Sequence, residues 1–121
     1  MVKAIVTGGA GFIGSHLVEL LIRRGHSVVA LDNLVSGRKS NLKNIVGNSA
    51  FNFVQADIRD RAAIRSAFDG VDLVFHLAGL ADIVPSIEMP TEYVTTNVDG
   101  TLNVLECCLL YTSDAADDTP C

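Results

Sequence analysis

The chain has 121 residues, of which 49% are hydrophobic and 19% charged, with a formal net charge of −5. That length admits one domain rather than two, and that composition excludes a disordered chain. The negative balance argues against a general nucleic-acid binder, which needs an excess of Lys and Arg to meet phosphate.

Much of the acidity is local. Asp114, Asp117 and Asp118 lie in the closing stretch Cys107–Cys121, which has no Lys or Arg. All the cysteines (Cys107, Cys108 and Cys121) lie there too, without metal-ligand spacing or a readable disulfide framework. Met1–Glu106 has no cysteine and no secretory signal, and its apolar runs fall far short of a membrane span. A soluble cytoplasmic protein is therefore expected.

In chain order, "KAIVT" (Lys3–Thr7) is a short apolar run ending at glycines, the pattern of a strand buried on both faces. From Phe12 to Arg24 the residues Phe12, Ile13, Leu17, Leu20 and Leu21 recur at helical spacing. Arg23 and Arg24 suit the end of that helix and Gly25 its stop. "SVVAL" (Ser27–Leu31) is a second buried-type strand, completing a βαβ unit of about thirty residues. Asn33–Ser49 is rich in Gly, Ser, Asn and Lys and predicts a loop with one helical turn near Leu42.

Phe51–Ala56 predicts a third strand and Asp60–Phe68 a helix with Asp60 as N-cap. Leu73–Ala78 predicts a fourth strand. Tyr93, Val94, Val98, Leu102 and Leu105 mark an apolar face on a helix over Thr91–Glu106, with Pro90 near its start. Alternating strands and helices imply an α/β fold, a doubly wound parallel sheet with helices on both sides.

"TGGAGFIGSH" (Thr7–His16) joins the first strand to the first helix. Gly8, Gly9, Gly11 and Gly14 satisfy both G-x-G-x-x-G and G-x-x-G-x-x-G, a weak signal alone and a strong one between a strand and a helix. Glycines there permit a tight turn, let a diphosphate approach bare backbone, and bring the helix close to the sheet. The unpaired N–H groups of the first helical turn can hold the diphosphate without a lysine. A nucleoside-triphosphatase loop would need Lys where this chain has Ser15, so that alternative fails.

Asp32 ends the second strand roughly twenty residues past the last glycine, where a carboxylate accepts from the adenosine ribose hydroxyls and repels a 2′-phosphate. NAD is thus favoured over NADP. Arg38 and Lys39 follow, either as a solvated loop or as an offset to that repulsion. Asp57 either accepts from the adenine amino group, with Ile58 packed on the ring, or caps the turn into the next helix.

"TGGAGFIGSH", "LDN", "ADIRD", "HLAG" and "NVDGTLNVLE", in this order, resemble the N-terminal half of the extended short-chain dehydrogenase/reductases. Within them the chain looks most like the NAD-dependent sugar-nucleotide epimerases and dehydratases, such as UDP-glucose 4-epimerase. The resemblance runs from Val2 to Glu106 and implies a Rossmann-type sheet, here truncated after about four strands. It puts Gly8, Gly11, Gly14 and the backbone of Phe12 and Ile13 on diphosphate-binding positions. It puts Asp32 and Asn33 at the ribose, Asp57 and Ile58 at the adenine, and Leu77, Ala78 and Gly79 along the wall leading to nicotinamide. Asn97 matches an asparagine that holds the central loops.

His76 and Ser86 are expected to be structural. After "AG", galactose epimerases of this kind carry a lysine where this chain has Ala81. The resemblance also implies a Ser or Thr and a Tyr-x-x-x-Lys pair, whose tyrosine takes a sugar hydroxyl proton while C4 hydride passes to NAD⁺. Tyr93 is followed four residues on by Asn97, and Tyr111 by Ala115, so neither forms that pair.

The expectation is the NAD-binding portion of a nucleotide-sugar epimerase, with no catalytic residue in the chain itself. The alternatives are a 4,6-dehydratase or decarboxylase of the same family, or a non-catalytic NAD(P)-sensing Rossmann protein. The parent is expected to act on a nucleotide sugar, to be a homodimer, and to bind neither nucleic acid nor membrane. Residues 1–106 are expected to be native domain, and the isolated chain to fold poorly and bind NAD weakly. "CLLYTSDAADD" resembles a translated transposon-type sequencing adapter, so residues 107–121 are expected not to be native.

Overall fold

The computed structural model describes residues 2–80 and 83–114. Ala81 and residues 115–121 of the closing stretch lie outside the described residues. The elements are β1 (Lys3–Thr7), α1 (Phe12–Arg23), β2 (Ser27–Asp32), β3 (Phe51–Gln55), α2 (Arg61–Ile64), β4 (Leu73–His76), α3 (Ile83–Glu88), α4 (Pro90–Val94) and α5 (Gly100–Asp114). Short 3₁₀ turns cover Lys39–Leu42 and Arg65–Phe68, and a π turn covers Thr95–Asp99 between α4 and α5.

The sheet order is β3-β2-β1-β4, and every pairing is parallel. Strand alternation separates two cores. Ile5, Val29 and Leu31 face Ile64, Phe68 and Val104, while Val6, Val28 and Ala30 face Val18, Leu42 and Ile45. Helices thus cover both faces, as the continuous apolar strands require, and the sheet is a doubly wound Rossmann-type one.

Local signals explain the element ends. At the end of α1, Gly25 N–H donates to Ile22 O and His26 N–H to Leu21 O, with Gly25 at φ +87°. That pairing satisfies the last carbonyls of the helix. Asp60 caps α2, its side chain accepting from Ala63 N–H at 3.2 Å. Leu42 is buried within the Asn33–Ser49 loop, as its helical turn predicts.

The structure corrects the reading in five places. β4 stops at His76 rather than Ala78: the Leu77 amide is shared between the Thr7 carbonyl and the Thr7 hydroxyl, and the Ala78 amide turns to that hydroxyl instead of continuing a ladder. β3 ends at Gln55, and the Asp60–Phe68 helix is one α turn followed by a 3₁₀ turn. The helix read over Thr91–Glu106 is interrupted by the π turn, beside which the hydroxyls of Thr95 and Thr101 bond back to the carbonyls of Glu92 and Asn97.

Most consequentially, the apolar stripe points away from the sheet. Val94, Val98, Leu102 and Leu105 are each more than half exposed, while Thr96, Gly100, Val104, Cys107 and Cys108 face inward. Small residues win that face because the helix lies so close to Ile58: a Cβ on Gly100 would come within 2.6 Å of Ile58 Cδ1.

Candidate functional site: a cleft at the carboxyl ends of the strands

β2 and β3 lie on one side of β1 and β4 on the other, so the chain reverses direction across the sheet between β1 and β4. Crevices outside the carboxyl ends of strands at such a point are the usual ligand sites of open α/β sheets. A cleft is found there, lined among others by Gly8, Gly11, Asp32, Asn33, Ile58, Leu77, Ala78 and Gly79.

The glycine loop is built by close approach. Gly8 has φ +70°, and a Cβ there would lie 2.9 Å from Ala78 N, so β1 and β4 converge where only hydrogen fits. A Cβ on Gly14 would lie 2.1 Å from the carbonyl oxygen of Gly8, which makes any side chain there incompatible with the turn. Gly11 is less confined, at 3.3 Å from the same oxygen. No side chain caps α1 at Gly11, and the side chains of Phe12 and Ile13 point outward. The first-turn amides are thereby presented as donors suited to an anion. A Cβ-free cradle ending at an uncapped helix fits a diphosphate.

Asp32 is buried, and both its oxygens are held by backbone. Oδ2 accepts from Ala10 N–H at 2.9 Å and Oδ1 from Leu34 N–H at 2.8 Å. An ionised carboxylate has further lone pairs on each oxygen, enough for a vicinal diol. Gly37 closes over it, since a Cβ there would sit 2.6 Å from Asp32 Oδ2. Neither Arg38 nor Lys39 is among the residues lining the cleft, and the Lys39 ammonium lies 5.6 Å from the centre of the Phe53 ring.

The Asn33–Asp57 corner is already internally bonded. Asn33 Nδ2 donates to Asp57 Oδ2 at 3.3 Å, and Arg59 NH2 donates to the same oxygen at 2.6 Å. Arg59 also donates to Asp57 Oδ1 from its backbone amide and from Nε. The side-chain hydrogen bond from Arg59 holds the Asp57 carboxyl below its usual range, against an opposing effect of burial. Ile58 is buried with its side chain against Gly100, and its carbonyl accepts from Asn103 Nδ2 at 2.9 Å.

The β4 wall is held from both ends. Leu77 and Ala78 donate to Thr7 Oγ1 at 3.0 and 3.2 Å. Asn97 pairs its amide with Leu80, donating to its carbonyl and accepting from its N–H, both at 2.8 Å. Asn97 therefore acts on the loop rather than from the cleft lining, where its neighbour Thr96 stands. His76 bridges Thr7 and Thr101 and is half-buried, and burial lowers its pKa below the ordinary histidine value.

Sequence reasoning missed Thr7, Gly37, Arg59 and Thr101 as parts of this site. Arg59 in "ADIRD" carried the one available signal, a cation two residues past a carboxylate.

Among known proteins, the family model described as "NAD dependent epimerase/dehydratase family" matches residues 4–115. The chain belongs to this family. It is 44% identical over 111 residues to a UDP-glucose 4-epimerase of Neisseria meningitidis serogroup B, covering 88% of the chain and 32% of that relative. It is 37% identical over 107 residues to a UDP-N-acetyl-alpha-D-glucosaminuronate decarboxylase of Bacillus cytotoxicus, covering 88% and 33% respectively. A crystal structure of Thermus thermophilus UDP-glucose 4-epimerase in complex with NAD superposes with a TM-score of 0.79 at 40% identity, covering 90% of the chain and 34% of that structure. The chain thus spans about a third of the length of each of these relatives. No helix among the described residues is long and apolar enough to cross a membrane.

Proposed function

We propose that the chain is the NAD-binding part of a nucleotide-sugar epimerase resembling UDP-glucose 4-epimerase, whose catalytic residues lie outside this chain. The observation that carries the reading is the buried Asp32 carboxylate, held by Ala10 and Leu34 beside the uncapped start of α1. In this reading Gly8, Gly11, Gly14 and the amides of Phe12 and Ile13 take the diphosphate. Asp32 takes the ribose diol, with Asn33 beside it. Asp57 and the backbone of Ile58 meet the adenine edge, Leu77–Gly79 flank the path to nicotinamide, and Asn97 holds that wall. NAD would supply a hydride acceptor for sugar C4 and return the hydride to the opposite face. The chain's own residues bind and orient it.

Calorimetric titration of the full-length protein carrying this chain tests the reading. NAD should bind, NADP should bind at least tenfold more weakly, and Asp32→Ala should reduce that preference. Equal affinity for the two dinucleotides would contradict it.

A decarboxylase of the same family is the second reading, favoured by the Bacillus cytotoxicus relative and by Ala81 in place of lysine. Conversion of UDP-glucose to UDP-galactose supports the epimerase, and carbon dioxide release from a UDP-uronate supports the decarboxylase. The proposal includes a cytoplasmic homodimer that does not bind nucleic acid. Its support is the cysteine-free stretch Met1–Glu106, the outward stripe of Val94, Val98, Leu102 and Leu105, and the lack of any excess of Lys and Arg in Met1–Glu106. We further propose that residues 107–121 are not native, which an independent genomic read departing from this sequence after codon 106 would support. A read that continues unchanged would refute it.

A further inference from the structure

His76 lies at the end of β4 with a hydroxyl on each side. Its Nδ1 is 2.6 Å from Thr7 Oγ1 and its Nε2 is 2.8 Å from Thr101 Oγ1. The direction of each bond follows from counting lone pairs. Thr7 Oγ1 already accepts from Ala78 N–H and, shared with its own backbone carbonyl, from Leu77 N–H, so its hydrogen goes to His76 Nδ1. At the other end the Thr101 hydroxyl donates to Asn97 O at 2.7 Å, so its oxygen accepts from His76 Nε2–H. The neutral Nε2–H tautomer satisfies every partner. A proton on Nδ1 would face an oxygen whose lone pairs are taken, and would strip the Thr7 hydrogen of its acceptor.

We propose that His76 is a positioning residue. As the neutral Nε2–H tautomer it ties β1 to α5 and so sets the backbone of Leu77–Leu80, one wall of the dinucleotide cleft. The two ends of that wall are otherwise held separately, by Thr7 at Leu77 and Ala78 and by Asn97 at Leu80. His76 joins them through Thr101. Protonation breaks the Thr7 end of the chain, so proton binding and dinucleotide binding compete.

No other ionisable group among the described residues is bonded to His76. On β1, Lys3 sits at the far end and donates to Asp69 O at 2.9 Å. In the π turn, Asp99 faces a separate cleft with Asp57, Arg59 and Asp60. On α5, Glu106 pairs with Arg61, and Cys107 and Cys108 pack with Ile64 and Phe68. Burial alone lowers the His76 pKa, so the neutral form extends below the ordinary value of 6.5.

The consequence for affinity rests on the NAD-binding reading; the tautomer does not. Nitrogen-15 NMR of the full-length protein at neutral pH should show His76 as Nε2–H, and an Nδ1–H tautomer would overturn the clamp itself. NAD affinity, followed from neutral pH downward, should stay level and then fall as pH drops through the depressed His76 value. Thr101→Val should lower NAD affinity about tenfold, the factor matching one hydrogen bond, and Thr101→Ser should restore it. His76→Asn should lower affinity at neutral pH and abolish its acid-side fall. A purely local structural role would shift the melting temperature and leave the pH profile of affinity intact, which would overturn the proposal. A protein of the expected tautomer that binds no NAD would overturn the cofactor reading and leave the clamp standing.

Discussion

Asp32 and Ala10 are joined by a 2.9 Å hydrogen bond, in which the amide of the glycine loop donates to the carboxylate closing β2. The loop that cradles a diphosphate and the acid that reads a ribose are therefore one rigid unit.

Replacing Asp32 accordingly affects more than the ligand. Asp32→Ala leaves the amides of Ala10 and Leu34 without their acceptors, at about 1–3 kcal/mol for a buried donor left unsatisfied. Asp32→Asn keeps one acceptor oxygen and turns an NH₂ group towards the other amide, so it should be destabilising as well. Urea unfolding should show both variants less stable than the original, and calorimetry should show both weaker for NAD. Original stability in Asp32→Asn would mean that the backbone bonds do not hold the carboxylate.

The glycines should rank by the room around them. A Cβ at Gly14 meets Gly8 O at 2.1 Å and one at Gly11 meets it at 3.3 Å. Gly14→Ala forces the helix off the loop, with a cost at or above the about 1–3 kcal/mol typical of overpacking. Gly11→Ala needs a shift of only tenths of an ångström. Melting temperature and NAD affinity should both fall much further for Gly14→Ala, and a reversed order would refute the packing argument.

Strands, the first helix and the Asp60 cap were legible because each rests on a local pattern: an apolar run, a period, a side chain beside free amides. The end of β4 was not, because its amides are claimed by Thr7, a residue distant in sequence. Arg59 was not singled out, yet its guanidinium clasps Asp57. Helix α3 has too few residues for a period to show. The orientation of α5 escaped because the face beside Ile58 selects small residues over large apolar ones.

The Arg59–Asp57 pair sets a pH dependence of known sign. The Asp57 pKa is lowered from 3.8 in the folded protein, first by the Arg59 side chain. The native state therefore binds fewer protons, and this contribution is fully present above that unfolded value. It is lost as pH falls from 3.8 through the lower folded value. Arg59 is largely exposed, so solvent screening keeps the contribution within about 1 kcal/mol. Arg59→Gln should be less stable than the original at neutral pH, with the difference shrinking in strong acid and in high salt. A difference independent of both pH and salt would point to packing instead of charge.

The two faces of α5 should respond oppositely to substitution. Gly100→Ala places a methyl group 2.6 Å from Ile58 Cδ1, so Ile58 or the helix must move, at about 1–3 kcal/mol for overpacking. Leu102→Lys and Leu105→Lys alter side chains that are each 52% exposed, and should leave the stability of a single copy within about 0.5 kcal/mol. If the outward stripe meets a second copy, as the proposed homodimer requires, the paired lysines should lower the mass seen by light scattering while Gly100→Ala leaves it unchanged. Unaltered mass in the double lysine variant would place the partner elsewhere. Loss of stability in that variant of the full-length protein, at concentrations where only single copies exist, would show that the remainder of the same polypeptide covers the stripe.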